Sequence, residues 1–115
     1  MAVELETVRA IVLGWPDTTE EPHHHFGSFR VRGRIFVTLP PGGEWLHIFL
    51  PDHERELALS LDPEFLEPLP WGSKILGVRA QLPLARESTL LRLIEQAYAH
   101  AAAKVPAKRA RVLKD

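Results

Sequence analysis

Three strand-forming runs, the first and third of them alternating, lie one after another between Ser28 and Leu50 and limit what this chain can fold into more than any other feature. In "SFRVR", Phe29 and Val31 point one way while Ser28, Arg30 and Arg32 point the other. "RIFVTL", Arg34 to Leu39, is β-branched and aromatic. In "WLHIFL", Leu46, Ile48 and Leu50 share one face and Trp45, His47 and Phe49 share the other. Successive side chains of a strand leave on opposite faces, so such runs read as strands with one face buried. Gly33 suits a tight turn between the first two, and "PPGG", Pro40 to Gly43, separates the second from the third. Strands with links this short pair as an antiparallel meander.

The flanking segments supply helices. Leu5, Val8, Ile11 and Val12 recur at helical spacing, which predicts a helix over Glu4 to Leu13, ended by Gly14 and Pro16. "WPDTTEEPHHH" is rich in turn formers and reads as a loop. Pro51 ends the third strand. Asp52 then stands where it could cap a short helix, with Glu54 and Glu56 near the positive helix start and Leu57 and Leu61 one turn apart. "DPEFLEPLPWGS" holds three prolines and reads mostly as loop, with a short strand at Phe65 to Glu67. A further strand is expected over Lys74 to Leu82. From Arg86 to Lys104, Leu90, Ile94, Ala97 and Ala101 form a helical stripe with Leu91 and Tyr98 beside it. The expectation is α+β: a single two-layer domain over residues 1–104, its antiparallel sheet of about five strands carrying helices on one face, in the order α-β-β-β-α-β-β-α. Residues 105–115 form a basic tail expected to fray.

Composition narrows the chemistry. The 115 residues suffice for one domain. Without cysteine, disulfides, thiol catalysis and cysteine zinc sites are excluded, and a reducing cytoplasm is the expected setting. No run approaches the ~18 apolar residues of a membrane helix, and acids stand where a secretory signal needs a basic start, so no membrane partner is expected. Net charge is -1, but its distribution is uneven. Residues 1–22 set Glu4, Glu6, Asp17, Glu20 and Glu21 against Arg9, whereas the C-terminal end sets Lys104, Lys108, Arg109, Arg111 and Lys114 against Asp115.

Three constellations carry possible function. On an extended strand Arg30 and Arg32 share a face, about 6–7 Å apart, close to the spacing of successive phosphates. Arg34, Lys74 and Arg79 could widen that patch, and Lys108, Arg109 and Arg111 could wrap a polyanion as an arm. The plain alternative is a solvated strand face whose charges discourage edge pairing. Next, His23, His24 and His25 stand in a row, but neighbours on an extended chain diverge. No HExxH-like spacing exists, so a hydrogen-bonded loop is expected rather than a metal site. Finally, Trp45 and Phe49 share a strand face with His47, and Trp71 lies in a loop framed by Pro70 and Gly72. They suit base stacking or a protein interface, or they fill the edges of the core, Trp71 as a packing plug. No phosphate loop or nucleophile elbow occurs, and nothing in the sequence calls for an enzyme or a cofactor.

Two stretches, "EPHHHFGSFRVRGRIFVTLP" and "DPEFLEPLPWGSKILGVRAQL", resemble the MmcQ/YjbR family in their order of loop histidine, "SFRV", Gly-basic-Ile-Phe, then Asp-Pro, a proline-rich loop and "WG". The resemblance runs over roughly Thr7 to Lys104. It departs at Leu76, where the family usually has a second Trp, and at Ser73, where Lys is common. It implies a small α+β fold similar to CyaY-like and secretion-chaperone-like arrangements, and a DNA-binding label without catalytic residues. The first functional expectation is therefore a non-enzymatic binding module that touches DNA or another nucleic acid through its basic strand face. The alternative is a protein–protein or self-association module using the aromatic face around Trp45, Phe49 and Trp71.

Overall fold

The structure, a computed structural model, describes residues 3–105. Helix α1 (Leu5–Val12) is followed by four strands: β1 (Thr18–His23), β2 (Phe26–Val31), β3 (Arg34–Leu39) and β4 (Trp45–Phe49). Helix α2 (Asp52–Leu61), strands β5 (Leu66–Trp71) and β6 (Lys74–Gln81), a 3-10 turn at Leu82–Leu84 and helix α3 (Glu87–Lys104) complete it. The α+β class holds, with all strands in one antiparallel sheet of order β1-β2-β3-β4-β6-β5.

The sheet has six strands rather than about five, and the order is α-β-β-β-β-α-β-β-α. The added strand is β1, inside the segment read as a loop. Its ladder with β2 runs from Thr18↔Val31 to His23↔Phe26. The sequence hides it because an outer strand needs no apolar alternation: its middle four residues are exposed. β5 extends to Trp71 through Pro68 and Pro70, where the sequence predicts a loop. An edge strand tolerates proline because only one of its sides must supply ladder hydrogen bonds.

Three hairpins close through two-residue turns: His24–His25, Arg32–Gly33 and Gly72–Ser73. At the second, Arg32 (φ 49) and Gly33 (φ 86) are both left-handed, the geometry that matches strand twist in a two-residue turn. Arg32 is therefore a turn residue and does not share a strand face with Arg30, contrary to the alternation read from sequence. Asp52 also differs from expectation. Pro51 occupies the N-cap position of α2, and the Asp52 carboxylate accepts from Arg55 at 2.7 Å instead of capping backbone amides.

The core lies between one face of the sheet and the helices. Phe29, Val31, Val37, Leu46, Ile48, Val78 and Ala80 form one buried cluster with Val8 and Val12 of α1, Ala58 of α2, and Leu90, Ile94, Ala97 and Ala101 of α3. The α3 stripe is thus the packing face the periodicity predicts. On α2 the inward residue is Ala58, while Leu57 and Leu61 are 52% and 59% exposed. Polar contacts tie the helical layer together: Glu54 pairs with His100 at 2.5 Å, and Arg86 reaches the buried Asp62 at 2.5 Å. Tyr98 donates to the Pro16 carbonyl at 2.8 Å and meets the rings of Trp15 and Phe36 edge-on. No described helix is long and apolar enough to cross a membrane.

Candidate binding face of the sheet

The other face of the sheet belongs to residues that alternate with the core. Their register builds one continuous polar row across all the strands: Glu21, Ser28, Thr38, His47, Arg79 and Glu67, each opposite the next. None of these residues belongs to the apolar cluster that packs on the helices. Strand alternation predicts that His47 and Arg79 each face away from a buried neighbour. The order β4-β6-β5, which sets them side by side, is a tertiary fact that local sequence does not encode.

The row is hydrogen-bonded within itself. Ser28 Oγ donates to the Glu21 carbonyl at 2.8 Å and accepts from Arg30 Nε at 3.0 Å. Arg79 donates from Nε to His47 Nε2 at 3.4 Å and from Nη1 to Glu67 Oε1 at 3.0 Å. Its guanidinium carbon sits 4.2 Å from the centre of the Trp45 ring, a cation–π stack. Phe26 approaches His47 with ring centroids 5.8 Å apart. Burial pushes the His47 pKa below the usual histidine value, and the Arg79 charge pushes it further the same way. The ring is therefore neutral at pH 7, and Nε2 is available as acceptor.

The predicted basic residues do not gather into one patch. Arg30 lies on this face, but it donates to the Pro22 carbonyl at 3.0 Å and stands 3.9 Å from the Glu21 carboxylate. Arg32 turns back to the helical layer, bonding Asp17 at 2.6 Å, the Ala102 carbonyl of α3 at 3.3 Å and the carbonyl of Val105, just past that helix, at 2.5 Å. It thereby places a cation on the negative end of that helix. Arg34 starts β3 and Lys74 starts β6, both exposed. Among the described residues neither has an ion-pair partner. Lys108, Arg109 and Arg111 lie outside the described residues. Two arginines and two glutamates thus balance on the helix-free face.

The aromatic residues divide as well. Trp45 and Phe49 are half-buried on this face, as the alternation predicts. Trp71, expected as a plug, is 72% exposed at the β5–β6 turn and fills nothing. His23 and His24 rings lie 4.7 Å apart, and no group of three potential metal ligands forms among the described residues. Searches of protein-family models, of curated proteins and of solved structures give no match to this chain.

Proposed function

We propose that the chain is a non-enzymatic binding module, of the kind its resemblance to the MmcQ/YjbR family suggests, and that it pairs face to face with a second copy of itself. The carrying observation is the Arg79–Trp45 stack beside His47 and Phe26, on a sheet face outside the helix-packed core. Aromatic residues and arginine are the types enriched in protein interfaces, and charge balance removes the long-range repulsion between like surfaces. The row ends in Glu21 and Glu67 and holds Arg79, with Arg30 next to it, so a two-fold pairing can set carboxylates against guanidinium groups. Strand addition at the edges is disfavoured, since β1 carries Pro22 and β5 carries Pro68 and Pro70.

Sedimentation equilibrium across a concentration series tests this. The wild type is expected to approach twice the monomer mass, and Trp45→Glu to stay monomeric. A wild type that remains monomeric at every concentration overturns the self-association reading.

The nucleic-acid reading uses the same face, with Trp45 as a base-stacking platform and Arg79 and Arg30 as phosphate contacts. Its support is weaker because both arginines already face carboxylates. Anisotropy of labelled DNA at ~50 and ~200 mM salt separates the two, since each phosphate contact adds about 0.9 to the salt slope on duplex DNA. A monomeric protein with saturable, salt-sensitive DNA binding that is lost in Arg30→Ala/Arg79→Ala would replace the first proposal with the second.

A further inference from the structure

At the end of the sheet remote from Trp45, a cavity of about 450 Å³ opens where β3 begins, β4 ends and α2 starts, beneath the last turns of α3. This lies within the ~300–1,000 Å³ range of small-molecule sites. Its walls are apolar, from Phe36, Phe49, Leu50 and Ile75. The α3 side is lined by Ala97 and Ala101, whose short side chains leave the space open. Four charged or titratable groups stand at its rim: Arg34, Asp52, His100 and Lys104.

Two of the four are engaged elsewhere. Asp52 is held by Arg55 at 2.7 Å, and His100 by Glu54 at 2.5 Å. Arg34 and Lys104 have no carboxylate partner among the described residues. The free charge at the mouth is positive, and the floor is apolar. That combination calls for a ligand with an anionic head and a hydrocarbon body. Even paired with Arg55, Asp52 keeps a carboxylate on the cavity wall, which opposes a second negative charge on the head and favours a monoanion.

We propose that this cavity is a binding site for an aliphatic monocarboxylate, with Arg34 and Lys104 holding the carboxylate and the apolar walls taking the chain. The site meets the helix-free sheet face only at Phe49 and does not depend on the pairing proposed for that face.

Octanoate is the probe, titrated into isotope-labelled protein and followed by amide shifts. Saturable shifts centred on Ile75, Leu76, Ala97 and Ala101 are expected. Arg34→Gln/Lys104→Gln should weaken octanoate by about tenfold or more, the effect of removing charge-assisted hydrogen bonds. Octanol should bind the wild type more weakly than octanoate does and be insensitive to the double substitution. Both replaced residues are exposed, so the variant should keep the wild-type spectrum elsewhere. Shifts that do not saturate in the millimolar range overturn the proposal, as does equal octanoate affinity in the variant. Octanol matching octanoate reduces the site to an apolar hollow, and octyl phosphate binding more tightly than octanoate overturns the monocarboxylate assignment.

Discussion

Gly77 shows how much one residue decides. It lies on β6 opposite Phe49, and a Cβ there would overlap the Ile48 carbonyl oxygen and stand 2.8 Å from the Leu50 nitrogen. The obstacles are backbone atoms of the neighbouring strand, so no side chain can swing aside. Gly77→Ala should destabilise the fold by about 3 kcal/mol, the upper range for overpacking, read as a lower denaturation midpoint. His47 makes a second prediction at this scale. Its folded pKa lies below the 6.5 of a free histidine, with burial as the main cause. As pH falls below 6.5, the unfolded ring takes up a proton that the folded ring does not. Stability therefore declines with acidification and levels off once the folded ring also protonates. His47→Gln should flatten that decline, measurable as a smaller loss of urea midpoint between neutral and mildly acidic buffer.

At the scale of elements, legibility followed how directly burial is written into local pattern. β4 and α3 are plain because alternation or a helical stripe marks their buried side, and β3 because its β-branched and aromatic run is buried from Phe36 to Leu39: Val37 and Ile48 pair across the ladder, and Leu90 and Ile94 are fully buried. β1 is obscure because its middle four residues stay exposed and it pairs with a strand on one side only. Arg32 departs from its predicted strand for a related reason. Alternation continues smoothly through it, yet its positive φ belongs to the turn. Of the candidate site, the outward side chains of β4 were legible from alternation. Their juxtaposition with Arg79 was not, since it depends on β6 inserting between β4 and β5. The first hairpin turn also holds a residue in an unfavourable conformation, His24 with φ 60. A two-residue turn with positive φ at its first position prefers glycine. His24→Gly should stabilise the hairpin by up to about 1 kcal/mol, the approximate left-handed cost for a residue with a side chain, seen as a modest rise in melting temperature.

At the scale of the molecule, the two surfaces with proposed roles differ in kind. The helix-free face is aromatic and charge-balanced, whereas the cavity at the far end is concave and cationic at its mouth. They share Phe49, which lines the cavity from a strand whose other outward residues, Trp45 and His47, belong to the face. Phe49→Ala is therefore the variant expected to weaken octanoate binding while leaving self-association closer to wild type than Trp45→Glu does, a contrast that titration and sedimentation read separately.

The sheet is also two pieces in sequence. Residues 18–49 form an unbroken meander, residues 66–81 form a separate hairpin, and one ladder, Trp45↔Gln81 to Phe49↔Gly77, joins them across α2. Each piece closes on neighbours near in sequence, so each can form early, while the joining ladder must wait for distant segments to meet. The slow event in refolding is then the docking of β6 onto β4. Substitutions along that line, Gly77→Ala first among them, should retard refolding, whereas changes in the β1–β2 turn should leave that rate nearly untouched and act on the speed of unfolding.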